Sequence, residues 1–343
     1  MRFAPKLAKS FSEVQMDLVR TSDAAAKQIL DSTRVYREYA RVRGESRGLK
    51  GSLFWKKVGS YEYLARKVRG KVTYIGPRTV ETERQFGEFK QKKARLQQRA
   101  RTLKESVESC ERMNKAVRAG AVPTPVVEVL RQLEAAGLSE GSVVLGTSAL
   151  FAYGQPAGVR LEEMSSPTLG CVVDDAKYHL QVLLDAPENT ITAALTELQE
   201  AVDATVEVAP AGASGERTYF LVEFKFGRQR EPSKCRAENA YWRTLATEMA
   251  AEVQHAGKFE QVVIGKTGKM ATMRTLDPQF FAMVNHAVIG VQPAATPDSQ
   301  MAQRQAALVD SLIADCLVVV SKLPAAECRR TVESIAQRVF APG

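Results

Sequence analysis

The sequence of 343 residues has few of the side chains that bind zinc or form disulfides: three histidines and five cysteines. The cysteines are scattered, odd in number, and include no C-x-x-C pair. Neither a disulfide framework nor a zinc site is therefore supported. The motifs G-x-S-x-G, H-E-x-x-H and G-x-G-x-x-G are also missing, so the usual signatures of α/β-hydrolases, zinc proteases and dinucleotide-binding domains are absent.

Long apolar runs are missing as well. The longest candidate, CLVVV at residues 316–320, is far shorter than the roughly 18 residues of a membrane-spanning helix. The N-terminus is basic but lacks the apolar stretch of a secretory signal. We therefore expect a cytoplasmic protein with no membrane association, and the length predicts about two domains.

Acidic residues are scarce in the first third of the chain. Residues 1–120 contain 29 Lys and Arg against 13 Asp and Glu, whereas residues 121–343 contain 19 against 26. A basic N-terminal region of this kind predicts contact with a polyanion such as RNA or DNA, or with the acidic remainder of the chain. A solvated basic surface without a ligand is the third alternative.

Three elements are predicted in this basic region. Apolar residues recur three or four apart over residues 8–44, which predicts a helix. Aromatic and β-branched residues alternate with Lys and Arg over residues 51–77, which predicts a short antiparallel β-meander. Residues 83–118 predict a long helix whose apolar stripe repeats every seven residues. That stripe predicts packing within the domain or a homodimer through this helix, with nucleic-acid contact as the alternative.

The predicted meander interleaves aromatic and basic side chains. Proteins use this combination to stack on bases and neutralise the phosphates of a nucleic-acid strand. A small hydrophobic core beneath a wet basic surface is the other interpretation. The candidate nucleic-acid contacts are Trp55, Lys56, Lys57, Arg66 and Lys67, with Tyr61 and Tyr63 beside them.

The rest of the sequence mixes strands and helices, which predicts an α+β fold, or alternatively α/β, with a helical C-terminal tail. We place domain boundaries so that residues 1–120 form the basic N-terminal region, 121–290 a mixed-sheet domain and 291–343 the C-terminal helices. GKTGK at residues 265–269 lacks the spacing of a phosphate-binding P-loop and falls between two strands. It is therefore interpreted as a basic hairpin turn.

The segment VVLGTSALFAYGQPAGVR, residues 143–160, reads as a strand, a Gly-Thr-Ser turn and a helix. The first backbone N–H groups of a helix have no partner within the helix, which favours phosphate binding at such a turn. Gly146, Thr147 and Ser148 are accordingly the candidate nucleotide-binding residues of this segment.

Taken with other ordered stretches, this segment resembles the bacterial nucleotidyltransferase-like proteins of the DNA polymerase β-type nucleotidyltransferase superfamily. The stretches that carry the resemblance are GSLFWKKVGSYEYLAR (51–66), IGPRTVETE (75–83), VPTPVVEVLRQLEAAGL (122–138), VLGTSALFAYGQPAGVR (144–160), LVEFKF (221–226), MRTLDPQFFA (273–282) and QRQAALVDSLI (303–313). The resemblance implies a mixed sheet with flanking helices and the transfer of a nucleoside monophosphate from a nucleoside triphosphate. In this superfamily a D-x-D pair and a third carboxylate on a later strand hold two Mg²⁺ ions.

The expected acid pair is not found at the required spacing. Only residues two apart on a strand point to the same side, yet LGCVVDD (169–175) contains only the adjacent pair Asp174 and Asp175. In TYFLVEFKFGR (218–228) the alternation places Glu223 where the third acid belongs. Lys225 is then two residues along on the same face, suited to neutralise phosphate. Asp174, Asp175 and Glu223 are the candidate catalytic and Mg²⁺-binding residues.

Two departures from the family pattern add to the missing pair. Gly154 stands where relatives usually carry Glu, and Asn285 where they usually carry Lys. One hypothesis is therefore a nucleotidyltransferase with altered metal ligation, acting on RNA, protein or a small molecule. The other is a catalytically inactive module, a pseudoenzyme that binds nucleic acid, nucleotide or a protein partner.

Overall fold

The computed structural model describes residues 18–68, 70–161, 179–202, 204–214, 217–226, 240–255, 257–315 and 325–340. Contacts within the chain divide it into two compact units. The first unit consists of Met1–Ile29 together with Asn114–Gly343, and the second of Leu30–Met113. The predicted division into residues 1–120, 121–290 and 291–343 stays a prediction.

The described strands belong to three sheets. They are β1 (Leu18–Arg20), β2 (Ser52–Val58), β3 (Tyr61–Val68), β4 (Lys71–Pro77), β5 (Ser142–Leu145), β6 (Val159–Leu161), β7 (His179–Asp185), β8 (Ala204–Ser214), β9 (Arg217–Phe226), β10 (Lys258–Ile264) and β11 (Met270–Leu276).

The described α-helices alternate with these strands. They are α1 (Asp23–Gly48), α2 (Val80–Ala116), α3 (Thr124–Ala136), α4 (Leu150–Gly154), α5 (Glu188–Ala201), α6 (Ala240–Glu248), α7 (Ala250–His255), α8 (Pro278–Val291), α9 (Pro297–Asp315) and α10 (Ala325–Phe340). A 3₁₀ turn, Gly146–Ala149, leads directly into α4. None of the described helices is both long and apolar enough to cross a membrane.

A six-stranded mixed sheet is the centre of the first unit, with the strand order β10-β11-β5-β7-β9-β8. Strand β11 is parallel to β5, while β5, β7, β9 and β8 pair in antiparallel fashion. Both sides of β9 are buried, because alternate residues such as Leu221 and Val222 are each 0% exposed. The sheet is thus covered on both faces, and the predicted α+β fold with a mixed sheet and flanking helices is confirmed.

The second unit contains a separate three-stranded antiparallel sheet, β2-β3-β4. The predicted meander over residues 51–77 is therefore confirmed, as is a long helix close to residues 83–118, which α2 supplies. Gly59 and Gly70 have positive φ angles of 63° and 83° and lie in the two turns, where a residue without a Cβ is favoured.

The helix predicted over residues 8–44 is wrong at Leu18–Arg20 and confirmed from Asp23, while residues 8–17 lie outside the described residues. Helix α1 begins only at Asp23. Residues Leu18–Arg20 instead form β1, which pairs antiparallel with β6 and places Leu18 opposite Leu161. The mixed spacing of apolar residues does not distinguish a short strand from a first helical turn, and here the partner strand decides between them.

The GKTGK segment is a hairpin turn, as predicted. It joins β10 to β11, which pair in antiparallel fashion, and Gly268 within it has a φ of 85°. The D-P-x-x-F segment that follows starts α8, where the Asp277 carboxylate accepts a hydrogen bond of 2.9 Å from the backbone N–H of Gln279. Asp277 and Pro278 are a favourable N-cap and first helical residue.

Candidate functional site

Glu223 lies on the central sheet, where the sequence predicted a catalytic carboxylate. It belongs to β9 and is only 3% exposed. Directly opposite residues on neighbouring strands share one face of a sheet, and Glu223 pairs with Gln181 on β7 and with Glu207 on β8. Gln181 in turn pairs with Leu145, the residue before Gly146. The structure therefore places Glu223 two strands away from the Gly-Thr-Ser turn.

Of the β7 residues that share this face, His179 and Gln181 are two apart and lie beside Glu223. Gln181 donates a hydrogen bond of 3.0 Å from its Nε2 to Glu223 Oε1. His179 Nε2 lies 3.2 Å from the same oxygen, although neither ring nitrogen makes a well-formed hydrogen bond within the described structure. The i, i+2 pair beside Glu223 thus consists of an imidazole and an amide, with no second carboxylate.

Two cations from different elements neutralise the acids of this face. The Arg243 guanidinium, on α6, contacts Glu223 and lies 3.6 Å from Glu207 Oε2. Lys225, which the sequence predicted as a phosphate ligand, is 8% exposed and forms an ion pair with Glu207. Acids and bases are therefore matched in number within this cluster.

The surroundings of Glu223 keep it ionised. Burial by itself raises the pKa of this carboxyl group, but the close approach of His179, the hydrogen bond from Gln181 and the charge of Arg243 lower the pKa to about 2. These groups stabilise the charged form more strongly than desolvation disfavours it. The carboxylate is consequently the anionic centre of a buried polar cluster.

The Gly146–Thr147–Ser148 turn follows β5, as predicted. Gly146 has a φ of 67°, in the region that L-residues seldom adopt. Thr147 and Ser148 are 6% and 2% exposed. The Thr147 hydroxyl accepts a hydrogen bond of 3.0 Å from Gln305 Nε2, on α9. This turn is therefore part of the packed interior as well as a candidate phosphate-binding element.

Gln305 connects this turn to α6. It is 0% exposed, and its Oε1 accepts a hydrogen bond of 3.1 Å from Trp242 Nε1. The Tyr241 hydroxyl lies 2.8 Å from the same oxygen and 2.7 Å from Asn285 Oδ1, so it can donate to either. Because Arg243 follows Trp242 in the chain, one helix touches both the Thr147 network and Glu223.

Gly154 and Asn285, the two residues expected to depart from the family pattern, are both closely packed. A Cβ added at Gly154 would lie 3.1 Å from the carbonyl oxygen of Val159, so a larger residue would require the backbone of β6 to shift. Asn285, 0% exposed, lies within hydrogen-bonding distance of Tyr241 and donates 2.8 Å to the carbonyl of Phe281. Each residue is fitted to its local packing.

The described residues do not fit a two-magnesium centre. Asp174 and Asp175 lie outside them, so their predicted role as metal ligands stays a prediction. Among the residues that are described, no three His, Cys, Asp or Glu side chains form a group able to hold a metal ion. Glu223 itself is in contact with a guanidinium, which satisfies the charge that a metal would otherwise satisfy.

The candidate nucleic-acid contacts fall on two sides of the meander. Trp55 packs on Phe86 of α2, with ring centroids 5.6 Å apart, and Arg78 lies over the Trp55 ring at 5.0 Å. By alternation along the strands, Lys57 and Arg66 share this side with Trp55, whereas Lys56 and Lys67 point to the other. The five predicted residues therefore do not form one surface.

Four residues of the cluster were not predicted from the sequence: His179, Gln181, Arg243 and Gln305. The first two were detectable, because they are two apart on a strand and immediately precede a buried apolar run. Arg243 and Gln305 lie on helices, and no local pattern distinguishes them from other polar helical residues. Their partners are at least 20 residues away in the chain.

Comparison of the sequence with known proteins identifies a family. No curated protein and no solved structure matches the sequence. A family model described as nucleotidyltransferase matches residues 124–317, which is more than half of the chain. The matched region includes the Gly146 turn, Glu223 with its neighbours and Gln305. The chain therefore belongs to a nucleotidyltransferase family.

Proposed function

We propose that this chain binds a nucleoside triphosphate on its nucleotidyltransferase fold and has lost metal-dependent nucleotidyl transfer. Membership of the family supports the first part. The second part depends on one observation: the Glu223 carboxylate is the counter-ion of Arg243 and is further bonded by Gln181. An acid in this position is a poor ligand for Mg²⁺, which requires several hard oxygen ligands.

The proposed nucleotide-binding residues are Gly146, Thr147 and Ser148 at the end of β5, with Lys225 and Arg243 as sources of positive charge. A guanidinium can bind phosphate oxygens through two parallel hydrogen bonds. The side chain of Arg243 is 38% exposed, so part of it faces solvent while the rest contacts Glu223. Binding of this kind needs no metal ion.

Transfer is a more demanding task than binding. In two-metal enzymes the ions clamp both the attacking and the leaving oxygens and stabilise the developing charge by several kcal/mol. Arg243 can neutralise phosphate, but it cannot activate an acceptor hydroxyl as a metal-bound oxygen would. We therefore expect nucleotide affinity without turnover.

A working transferase is the second candidate, and the ionisation of Glu223 favours it. The pKa of about 2 keeps this carboxylate charged at neutral pH, on the same face as Lys225. In that case Asp174 or Asp175 would join Glu223 in binding Mg²⁺, and the acceptor would be an RNA end, a protein side chain or a small molecule. Arg243 would then have to leave Glu223 during the reaction.

The two candidates are separated by measuring binding and transfer on the same preparation. Binding of a fluorescent nucleoside triphosphate analogue is measured by anisotropy in EDTA and in Mg²⁺. Transfer is measured with α-labelled nucleoside triphosphates and Mg²⁺ or Mn²⁺, alone and with total RNA or cell lysate. We expect binding of similar strength with and without metal, and no transferred label.

The control variants are Glu223→Ala and Glu248→Ala. Glu248 is an exposed acid whose ion pair with Arg338 lies on the surface, so its removal is expected to leave both measurements unchanged. Metal-dependent labelling that Glu223→Ala abolishes and Glu248→Ala preserves would establish the transferase instead. Absence of nucleotide binding under every condition would contradict both candidates.

A further inference from the structure

One side of the meander presents aromatic and basic side chains to solvent, and we call it the open face. Cross-strand pairs define its members, because opposite residues share a side of the sheet. Lys56 pairs with Tyr63, and Phe54 pairs with Ala65, which pairs in turn with Tyr74. The full set is Ser52, Phe54, Lys56, Val58, Tyr61, Tyr63, Ala65, Lys67, Val72, Tyr74 and Pro77.

Side-chain contacts confirm this arrangement. The rings of Tyr63 and Tyr74 meet edge to face with centroids 6.2 Å apart. Lys56 Nζ lies 5.1 Å from the centroid of the Tyr74 ring, within the range of a cation–π interaction. Three residues from three different strands thus form one continuous patch on the open face.

Exposure separates this patch from an ordinary hydrophobic core. Tyr61 is 67% exposed and Tyr74 is 48% exposed, and Val58 is 47% exposed. On the opposite side of the same sheet, Leu64 is 0% exposed and Trp55 packs on Phe86. The covered side therefore packs on α2 through Trp55, whereas Tyr61 and Tyr74 leave about half or more of their surface in solvent.

Most charged side chains of the meander are positive. Residues 51–77 contain six Lys and Arg and a single acid, Glu62. That acid forms an ion pair of 2.6 Å with Arg78 and, by alternation, points to the covered side with Leu64. All of Leu30–Met113 contains 22 Lys and Arg against ten Asp and Glu. A polyanion is the partner that this imbalance favours.

We propose that the open face of the meander binds single-stranded nucleic acid. Tyr61, Tyr63 and Tyr74 would stack on bases, while Lys56 and Lys67 neutralise phosphates. Stacking of bases on aromatic rings along a basic surface is how proteins bind single strands without sequence preference. In a duplex the faces of the bases are covered by neighbouring bases, so the tyrosine rings of the open face cannot stack on them.

The ligand class is defined by its chemistry: an unpaired, flexible polynucleotide with accessible base faces. Both RNA and DNA satisfy this description, and the test includes both sugars. This inference does not depend on nucleotide binding at Gly146 or on transfer, since it concerns different residues. Either proposal can therefore fail without affecting the other.

The experiment measures fluorescence anisotropy of labelled 20-nucleotide oligo(dT), oligo(U) and a 20-base-pair duplex with the full chain at two salt concentrations. We expect both single strands to bind about 10-fold or more tightly than the duplex, and affinity to fall as salt rises. The double variant Tyr61→Ala, Tyr74→Ala is expected to weaken single-strand binding by roughly 10- to 100-fold. Tyr61→Phe, Tyr74→Phe keeps both rings and is expected to bind within about 2-fold of the unaltered chain.

A charge-matched pair of variants distinguishes a defined surface from general attraction. Lys56→Ala, Lys67→Ala removes two charges from the open face, and Lys92→Ala, Lys104→Ala removes two exposed charges from α2. We expect the first pair to weaken binding about 10-fold more than the second. Equal effects of the two pairs would overturn the proposal, because binding would then follow net charge alone.

Two further results would also overturn it. One is equal affinity for duplex and single strand, since stacking would then play no part. The other is a dimer in sedimentation experiments that Tyr61→Ala, Tyr74→Ala dissociates, because the open face would then be an interface between two copies of the chain. Circular dichroism of every variant verifies that the meander remains folded.

Discussion

The central sheet and the meander both carry charged side chains on paired strands, but these charges are arranged differently. On the central sheet, Glu223 and Glu207 are matched by Arg243 and Lys225, and all four are linked by ion pairs. In the meander the basic residues of the open face have no acidic neighbours on that face. In the first arrangement each cation already contacts a carboxylate of the same sheet, and in the second the cations face solvent.

The difference follows from burial. An ionised group removed from water needs a partner to offset its desolvation cost, and the buried Glu223 and Lys225 each contact a group of opposite charge. Lys56 and Lys67 remain hydrated and need no partner. Burial of the central sheet, which the open face of the meander lacks, creates the contrast. The following predictions test that contrast, beginning with the largest effect.

Removing Glu223 is expected to have the largest effect on stability. Glu223→Ala leaves the Gln181 amide, His179 and Arg243 without their common partner, and because Arg243 is partly exposed and keeps Glu207 nearby, we expect a cost of up to roughly 3 kcal/mol. Unfolding by urea, followed through the buried Trp242 in a Trp55→Phe background, measures the free energy of unfolding of the first unit. Glu248→Ala in the same background is expected to change it by less than about 0.5 kcal/mol. Equal effects of the two variants would show that the Glu223 network is no more than a surface pair.

The Gln305 network comes next. Gln305→Leu removes the acceptor of Trp242 and the donor to Thr147, and each buried polar group left without a partner costs on the order of 1–3 kcal/mol. We expect a loss of about 2 kcal/mol by the same fluorescence measurement. Gln303→Leu changes an exposed glutamine of the same helix and is expected to be nearly neutral. A neutral Gln305→Leu would mean that the turn is held by packing alone.

The pH dependence of stability gives a smaller effect with a defined direction. The folded pKa of Glu223, about 2, lies below the ordinary value of 4.5, so the unfolded chain binds more protons between these values. Ionised Glu223 therefore stabilises the fold above pH 4.5, and this contribution declines as the pH falls from 4.5 towards 2. The free energy of unfolding of the unaltered chain, measured relative to that of Glu223→Gln, is expected to fall by about 1–2 kcal/mol between pH 7 and pH 3. A constant difference between the two chains over this range would contradict the assignment.

Glu38, on α1 in the second unit, allows the salt dependence of its pKa to be compared with that of Glu223. Hydrogen bonds from Arg41 and Arg99 lower the pKa of this exposed carboxyl group to about 2 as well. Salt screens exposed pairs far more than buried ones. Carboxyl NMR titrations at low salt and at about 1 M salt are expected to show the pKa of Glu38 rising towards 4.5 while that of Glu223 stays low. Glu38→Gln and Glu223→Gln assign the two signals, and equal sensitivity to salt would remove the distinction between the regions.

Much of this organisation was predictable from local pattern. Period-two alternation predicted the meander and placed Glu223 and Lys225 on one face of their strand, because side chains alternate along any extended chain. The Gly-Thr-Ser segment gave the turn after β5, since glycine tolerates the positive φ that Gly146 adopts. The spacing of apolar residues wrongly predicted a helix at Leu18–Arg20, where pairing with β6 instead forms a strand.

The sequence by itself determined the class of fold, the family and the position of Glu223, because these depend on residues close together in the chain. Only the tertiary structure decided that His179 and Gln181 face this acid, that Arg243 neutralises it and that Gln305 reaches Thr147. Those contacts join strands and helices that are distant in the sequence, so they depend on strand register and helix packing. The same is true of the meander, where packing of Trp55 on Phe86 covers one side and leaves Tyr61 and Tyr74 in solvent.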